Sequence, residues 1–100
     1  MRAPSPFIWR GIRFDVASWS AHSGAVRYES RGTPLWELNR HDTGGPWHAR
    51  LRINPEVAFI SEGTSKVGAL NSAYTKVERL QSILEAALEE VSDQDLTPGS

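Results

Sequence analysis

Cysteine is absent from this 100-residue chain. That excludes a disulfide framework, a thiolate metal site and a cysteine nucleophile, and it favours a reducing compartment such as the cytoplasm. Long apolar runs are also missing. No segment approaches the roughly 20 residues that a membrane-spanning helix needs, and residues 1–6 lack the apolar core of a signal peptide, so no membrane partner is expected. Lysine is scarce, with only Lys66 and Lys76, so arginine carries most of the positive charge. The sequence has no internal repeat, no Gly-x-Ser-x-Gly elbow and no paired-carboxylate spacing. These gaps predict a protein that is not an enzyme and needs no cofactor and no metal.

What the chain does have is one stretch of helical periodicity. Val67, Leu70, Ala73, Tyr74, Val77, Leu80, Leu84, Ala87, Leu88 and Val91 recur at steps of three and four, which puts them on one stripe of a helix over about 64–92. Ser61 or Thr64 would cap it. Residues 7–60 instead alternate apolar and polar in short runs broken by Gly, Pro, Asn and Asp. They predict strands over about 7–16, 25–30, 35–40 and 47–53, with a fifth at 57–60. Phe7 and Trp9 alternate in one phase and Ile12, Phe14 and Val16 in the other, which predicts a β-bulge at Gly11. The expected fold is therefore α+β: an antiparallel four- to five-stranded meander followed by one long C-terminal helix packed on one face. Residues 1–6 form a flexible lead-in, residues 7–92 a single domain and residues 93–100 a disordered tail. Four Trp, three Phe and two Tyr supply the core of so short a chain.

Net charge is −1 but unevenly spread. Residues 1–52 hold eight arginines against Asp15, Glu29, Glu37 and Asp42, while residues 53–100 hold three bases against eight acids. The sheet is basic and the helix acidic. Guanidinium groups bind phosphate and aromatic rings stack on bases, so one reading is nucleic-acid binding through Arg10, Arg13, Arg27, Arg50 and Arg52, with Trp9 and Trp19 as stacking groups. Matching inward positions across the strands argues otherwise. It places Asp15, Arg27, Glu37 and Arg50 in one row of the outer face and Arg13, Glu29, Leu35 and Arg52 in another, so that charges pair with each other rather than await phosphate. His41, Asp42 and His48 bracket a hairpin loop and read as turn-capping residues rather than as a metal or acid–base site. Gly63 and Gly68 have the spacing of a phosphate-binding loop, but Ala69 and Leu70 stand where that motif requires Lys and then Ser or Thr. A helix cap accounts for the run.

Some 27 helical residues span roughly 40 Å, whereas four or five strands cover roughly 15 to 20 Å. The helix must overhang its sheet. Leu84, Glu85, Leu88 and Glu89 on the overhang, with Trp19 in one loop and His41 and Asp42 in another, are the expected contacts for a protein partner, and the overhang also predicts a homodimer through the helix. A Trp-studded meander (Trp9, Trp36, Trp47) followed by one acidic helix (Glu78, Glu85, Glu89, Glu90) resembles, from Phe7 to Val91, small phage and mobile-element proteins, among them anti-CRISPR inhibitors. That resemblance implies a binder that blocks a larger nucleic-acid-handling complex in the cytoplasm of a host cell. The pairing of a sheet with a C-terminal helix is also similar to the arm-binding domains of integrases, which implies the nucleic-acid alternative.

Overall fold

The computed structural model describes residues 3–32 and 34–95, with side chains through residue 91. The architecture is α+β: strands β1 (Phe7–Trp9), β2 (Ile12–Trp19), β3 (Val26–Ser30), β4 (Leu35–Arg40), β5 (Trp47–Asn54) and β6 (Val57–Gly63), then helix α1 (Lys66–Asp95). All six strands pair antiparallel in chain order. The strand expected over 7–16 is two strands. Arg10 and Gly11 both have positive φ, 50° and 75°, and form a two-residue hairpin turn of the type that needs left-handed backbone at both positions. Trp9 and Ile12 then face each other. A two-residue turn and a bulge at Gly11 shift the inward phase by the same single residue, which is why the alternation alone did not separate them. The bulge in β2 lies further on, between Val16 and Ser18, where the strand pairs with β3.

Other boundaries move as well. The fifth expected strand extends to Gly63 and becomes the sixth. The helix starts one residue after Ser65, whose Oγ accepts from the Gly68 amide at 3.0 Å, so the cap is Ser65 rather than Ser61 or Thr64. Asp93 to Asp95, assigned to the tail, are the end of the helix, and residues 96–100 lie outside the described residues.

One face of the sheet carries the core. Trp9, Phe14, Val26, Tyr28, Trp36, Leu38, Trp47, Ala49 and Leu51 are buried there against Ala69, Leu70 and Ala73 of α1. The Trp9 indole donates to Asn71 Oδ1 at 3.0 Å and Lys76 Nζ donates to the Ile60 carbonyl at 2.9 Å, which fasten the helix at opposite edges of the sheet. Ile53, in phase with the inward Trp47, Ala49 and Leu51, is exposed because β5 and β6 lose register between Arg52 and Asn54. Val67 is exposed too. It sits about 100° round the helix from Lys66, whose side chain reaches over the sheet's aromatic rings.

The outer face keeps the expected facing of Glu37 on Arg50 and Leu35 on Arg52, but β3 is slid by two residues against both neighbours. Asp15 faces Glu29, Glu29 faces Glu37, and Arg27 faces Asn39. Side-chain phase repeats every two residues, so this slide leaves every residue on its expected face and changes only its partner. Closure of the β3–β4 turn sets the register, with the Trp36 amide donating to the buried Ser30 Oγ at 2.8 Å. The like charges brought face to face are offset along each strand. Arg13 pairs with Asp15 at 2.9 Å and Arg27 with Glu29.

Candidate functional site

Residues Leu70, Val77, Leu84 and Val91 recur every seven positions along α1, with Ala73, Leu80 and Ala87 midway between them. This is the a and d pattern of a helix that packs along one seam. Its first turns use the seam on the sheet: Leu70 and Ala73 are fully buried and Val77 half-buried. From Glu78 through Val91 every residue is exposed. The seam continues into solvent as Leu80, Leu84, Ala87 and Val91, flanked by Ile83 and Leu88, with Ile83 65% and Leu88 64% exposed. Residues 78–95 project for about 27 Å at 1.5 Å per residue, and the molecule measures 70 × 24 × 24 Å. At 100° per residue, Glu85 and Glu89 lie roughly 100° and 140° round the helix from Leu84, outside the a and d positions, with Glu85 neighbouring Leu88. They solvate the helix rather than line its seam. Glu90 borders it beside Ile83.

The other candidate residues sit at the opposite end. Trp19 closes β2 opposite Val26 and is 37% exposed. His41 and Asp42 are exposed in the β4–β5 loop, which touches the β2–β3 loop: the Thr43 amide donates to the Ser23 carbonyl at 3.1 Å. A Cβ on Gly24 would lie 1.9 Å from Thr43 Oγ1 and 3.0 Å from its amide nitrogen. Trp19, expected in a loop, thus ends a strand, and the β2–β3 loop that follows it and the hairpin tip, read as separate surfaces in the sequence, are one. The imidazoles of His41 and His48 are 5.9 Å apart, and among the described residues no group of three or more His, Asp or Glu is placed to hold a metal.

Of the arginines proposed for nucleic acid, Arg10 is not on the outer face. Its guanidinium lies 4.1 Å from the Tyr74 ring centroid and 5.6 Å from that of Trp9. The second stacking candidate, Trp9, is buried. Arg13 and Arg27 are engaged by Asp15 and Glu29, and the Arg13 hydrogen bond holds the Asp15 carboxyl below its ordinary pKa against a smaller upward push from desolvation. Arg50 and Arg52 have no ion pair among the described residues. Two cations are a small footprint. Neutralising two phosphates gives a salt slope, log K against log concentration, of about −2. Random DNA and RNA should therefore bind no tighter than about 10⁻⁴ to 10⁻⁶ M at physiological salt. A gel-shift titration with a slope near −6 would require a basic surface that this sheet does not present.

Two residues that the sequence reading did not single out, Arg40 and Lys66, point into the inner face instead. Arg40 Cζ lies 4.5 Å from the Trp47 ring centroid. Lys66 Nζ lies 4.8 Å from that of Phe7 and 5.4 Å from that of Tyr28. Burial pushes the Tyr28 hydroxyl up, and the Arg40 charge offsets this only in part. The signal for Arg40 was present in the sequence, since it shares the inward phase of Trp36 and Leu38.

Comparison with protein-family models, curated proteins and solved structures gives no match for this chain. Among the described residues no helix is long and apolar enough to cross a membrane.

Proposed function

We propose that this protein is a non-enzymatic protein-interaction module whose docking element is the projecting half of α1, and that the occupant of that element is the same segment of a second copy. The observation that supports this reading is the apolar seam that leaves the sheet: Leu80, Ile83, Leu84, Leu88 and Val91 are 40–65% exposed. An antiparallel pairing that sets Leu84 against Leu80 of a second copy also sets Val77 against Ala87. The flanking row then brings Ile83 to its own equivalent and Lys76 to Glu90. The seam is thus complementary to itself in shape and in charge. Glu85 and Glu89 stay on the outer side of both helices and do not oppose the pairing. Burying the exposed half of each of these side chains is worth about 1 kcal/mol, or about 10 kcal/mol for the ten of a symmetric pair. Association costs about 4–15 kcal/mol, so the dimer should depend on concentration.

Sedimentation velocity from about 1 to 100 μM tests the proposal, with the wild type expected to shift from monomer to dimer across that range. Leu84→Glu with Leu88→Glu should hold the protein monomeric without loss of its sheet. Glu90→Lys should weaken association. A wild type that stays monomeric at 100 μM would sink the dimer. An inhibitor that covers a larger complex, as the resemblance implies, would present the same seam to a foreign protein, and a stable homodimer would withdraw it. One measurement therefore separates the two readings.

A further inference from the structure

At the end of the molecule opposite the projecting helix, an open cleft of about 770 Å³ lies over the inner face, between the first residues of the chain and the start of α1. Two cations enter it, Arg40 from β4 and Lys66 from the first turn of α1. Both lie over the same indole, with Arg40 Cζ 4.5 Å and Lys66 Nζ 6.0 Å from the Trp47 ring centroid. Among the described residues neither has an ion pair, no carboxylate lines the cleft, and the buried Arg40 Nε has no hydrogen-bond partner.

Cation–π contact with an aromatic core accounts for where these side chains lie. It does not neutralise them. Two positive charges converging on one cleft with no acid in its wall fit a dianion, and a phosphate monoester carries about −1.5 to −2 at neutral pH. The planar guanidinium of Arg40 would grip two of its oxygens and Lys66 would act as a point charge. On the far wall stands Trp19, the one tryptophan that is not buried, and an exposed indole beside a phosphate subsite is a stacking surface for a planar ring. The positive end of α1 adds to the same field, although the two side chains and the indole carry the argument. We infer that this cleft binds a phosphate monoester attached to a planar ring, of the class of a nucleoside monophosphate. The outer-face arginines take no part, and the site is independent of pairing through α1.

Titration calorimetry of the full chain with adenosine 5′-monophosphate, adenosine and inorganic phosphate tests this inference. The monophosphate should bind with a dissociation constant below 1 mM, on the order of tenfold or more tighter than either fragment alone. Arg40→Gln and Lys66→Gln should each weaken it about tenfold, and Trp19→Ala should weaken it about tenfold while leaving inorganic phosphate unchanged. Arg50→Gln, on the opposite face, should have no effect. Amide and indole NMR shifts of the wild type, independent of any variant's folding, should move at Trp19, Arg40 and Lys66. No binding at millimolar monophosphate, equal loss in Arg50→Gln, or shifts confined to the outer face would each overturn the proposal. Equal affinity for inorganic phosphate and the monophosphate would reduce the cleft to an anion site and overturn the ring assignment.

Discussion

Gly63→Ala should lower the melting temperature by several degrees, against the usual preference of a strand for alanine over glycine. Glycine within a strand costs roughly 0.5–1 kcal/mol relative to alanine, so propensity alone predicts a gain. Space predicts the opposite. A Cβ at Gly63 would lie 2.6 Å from the Ala69 amide nitrogen, 2.9 Å from the Gly68 carbonyl carbon and 3.0 Å from the Ala69 Cα. All three are backbone atoms of the first turns of α1 and cannot rotate away. Relief requires the helix to lift off β6, which would open the contact at Ala69, Leu70 and Ala73, all fully buried. Overpacking of this kind costs about 1–3 kcal/mol, and each kcal/mol is worth roughly 4–8 °C in a domain of this size. The space term wins. Gly68→Ala is the matched control, because its Cβ would meet only the Ser65 hydroxyl at 2.9 Å. There the helix-propensity gain of about 1 kcal/mol roughly offsets a weakened cap. Thermal unfolding followed by circular dichroism decides it, and a Gly63→Ala protein that melts at or above the wild type would mean that α1 does not cross β6 at this point.

Gly63 also shows where a reading of the sequence stops. Its spacing from Gly68 looked like part of a phosphate-binding loop, and nothing in the one-dimensional pattern says that it is where a strand and a helix touch. The class of fold, the long helix and the buried faces of β3, β4 and β5 were legible because they rest on periodicities of 3.6 and 2, which the residues carry themselves. The facing of Glu37 on Arg50 was legible as well, but the partners of β3 were not. A slide of two residues preserves the face of Arg27, Glu29 and Glu37, so only turn chemistry at Ser30 and Trp36 could have fixed the pairs. The turn at Arg10 was hidden because an arginine with positive φ has no strong sequence signature. At the interaction surfaces, the overhang of Leu84 and Leu88 followed from lengths alone. The joining of the β2–β3 loop to the β4–β5 loop, and the convergence of Arg40 with Lys66 on Trp47, required the topology.

Leu70 and Leu84 are two heptads, about four turns, apart on the same seam, and truncating each to alanine should have very different consequences. Leu70 is completely buried between α1 and the sheet, and removing a buried leucine side chain costs about 2–5 kcal/mol, the spread reflecting how well the site can collapse. A small domain has about 5–15 kcal/mol to lose, so Leu70→Ala should leave a protein that is marginal or partly unfolded at 37 °C. Leu84 is 52% exposed on the projecting half. In dilute solution its truncation should shift stability by no more than about 0.5 kcal/mol, as for an ordinary surface position. At about 100 μM the wild type should gain stability from pairing, since whatever binds only the folded state raises its apparent stability with concentration. Leu84→Ala should lose most of that gain, whereas Leu70→Ala should be destabilised at every concentration. Urea unfolding at about 1 and 100 μM measures both. If Leu84→Ala costs as much as Leu70→Ala at the lower concentration, the projecting half is buried even in dilute protein. If neither protein responds to concentration, the seam does not pair with itself, and a foreign protein becomes its occupant.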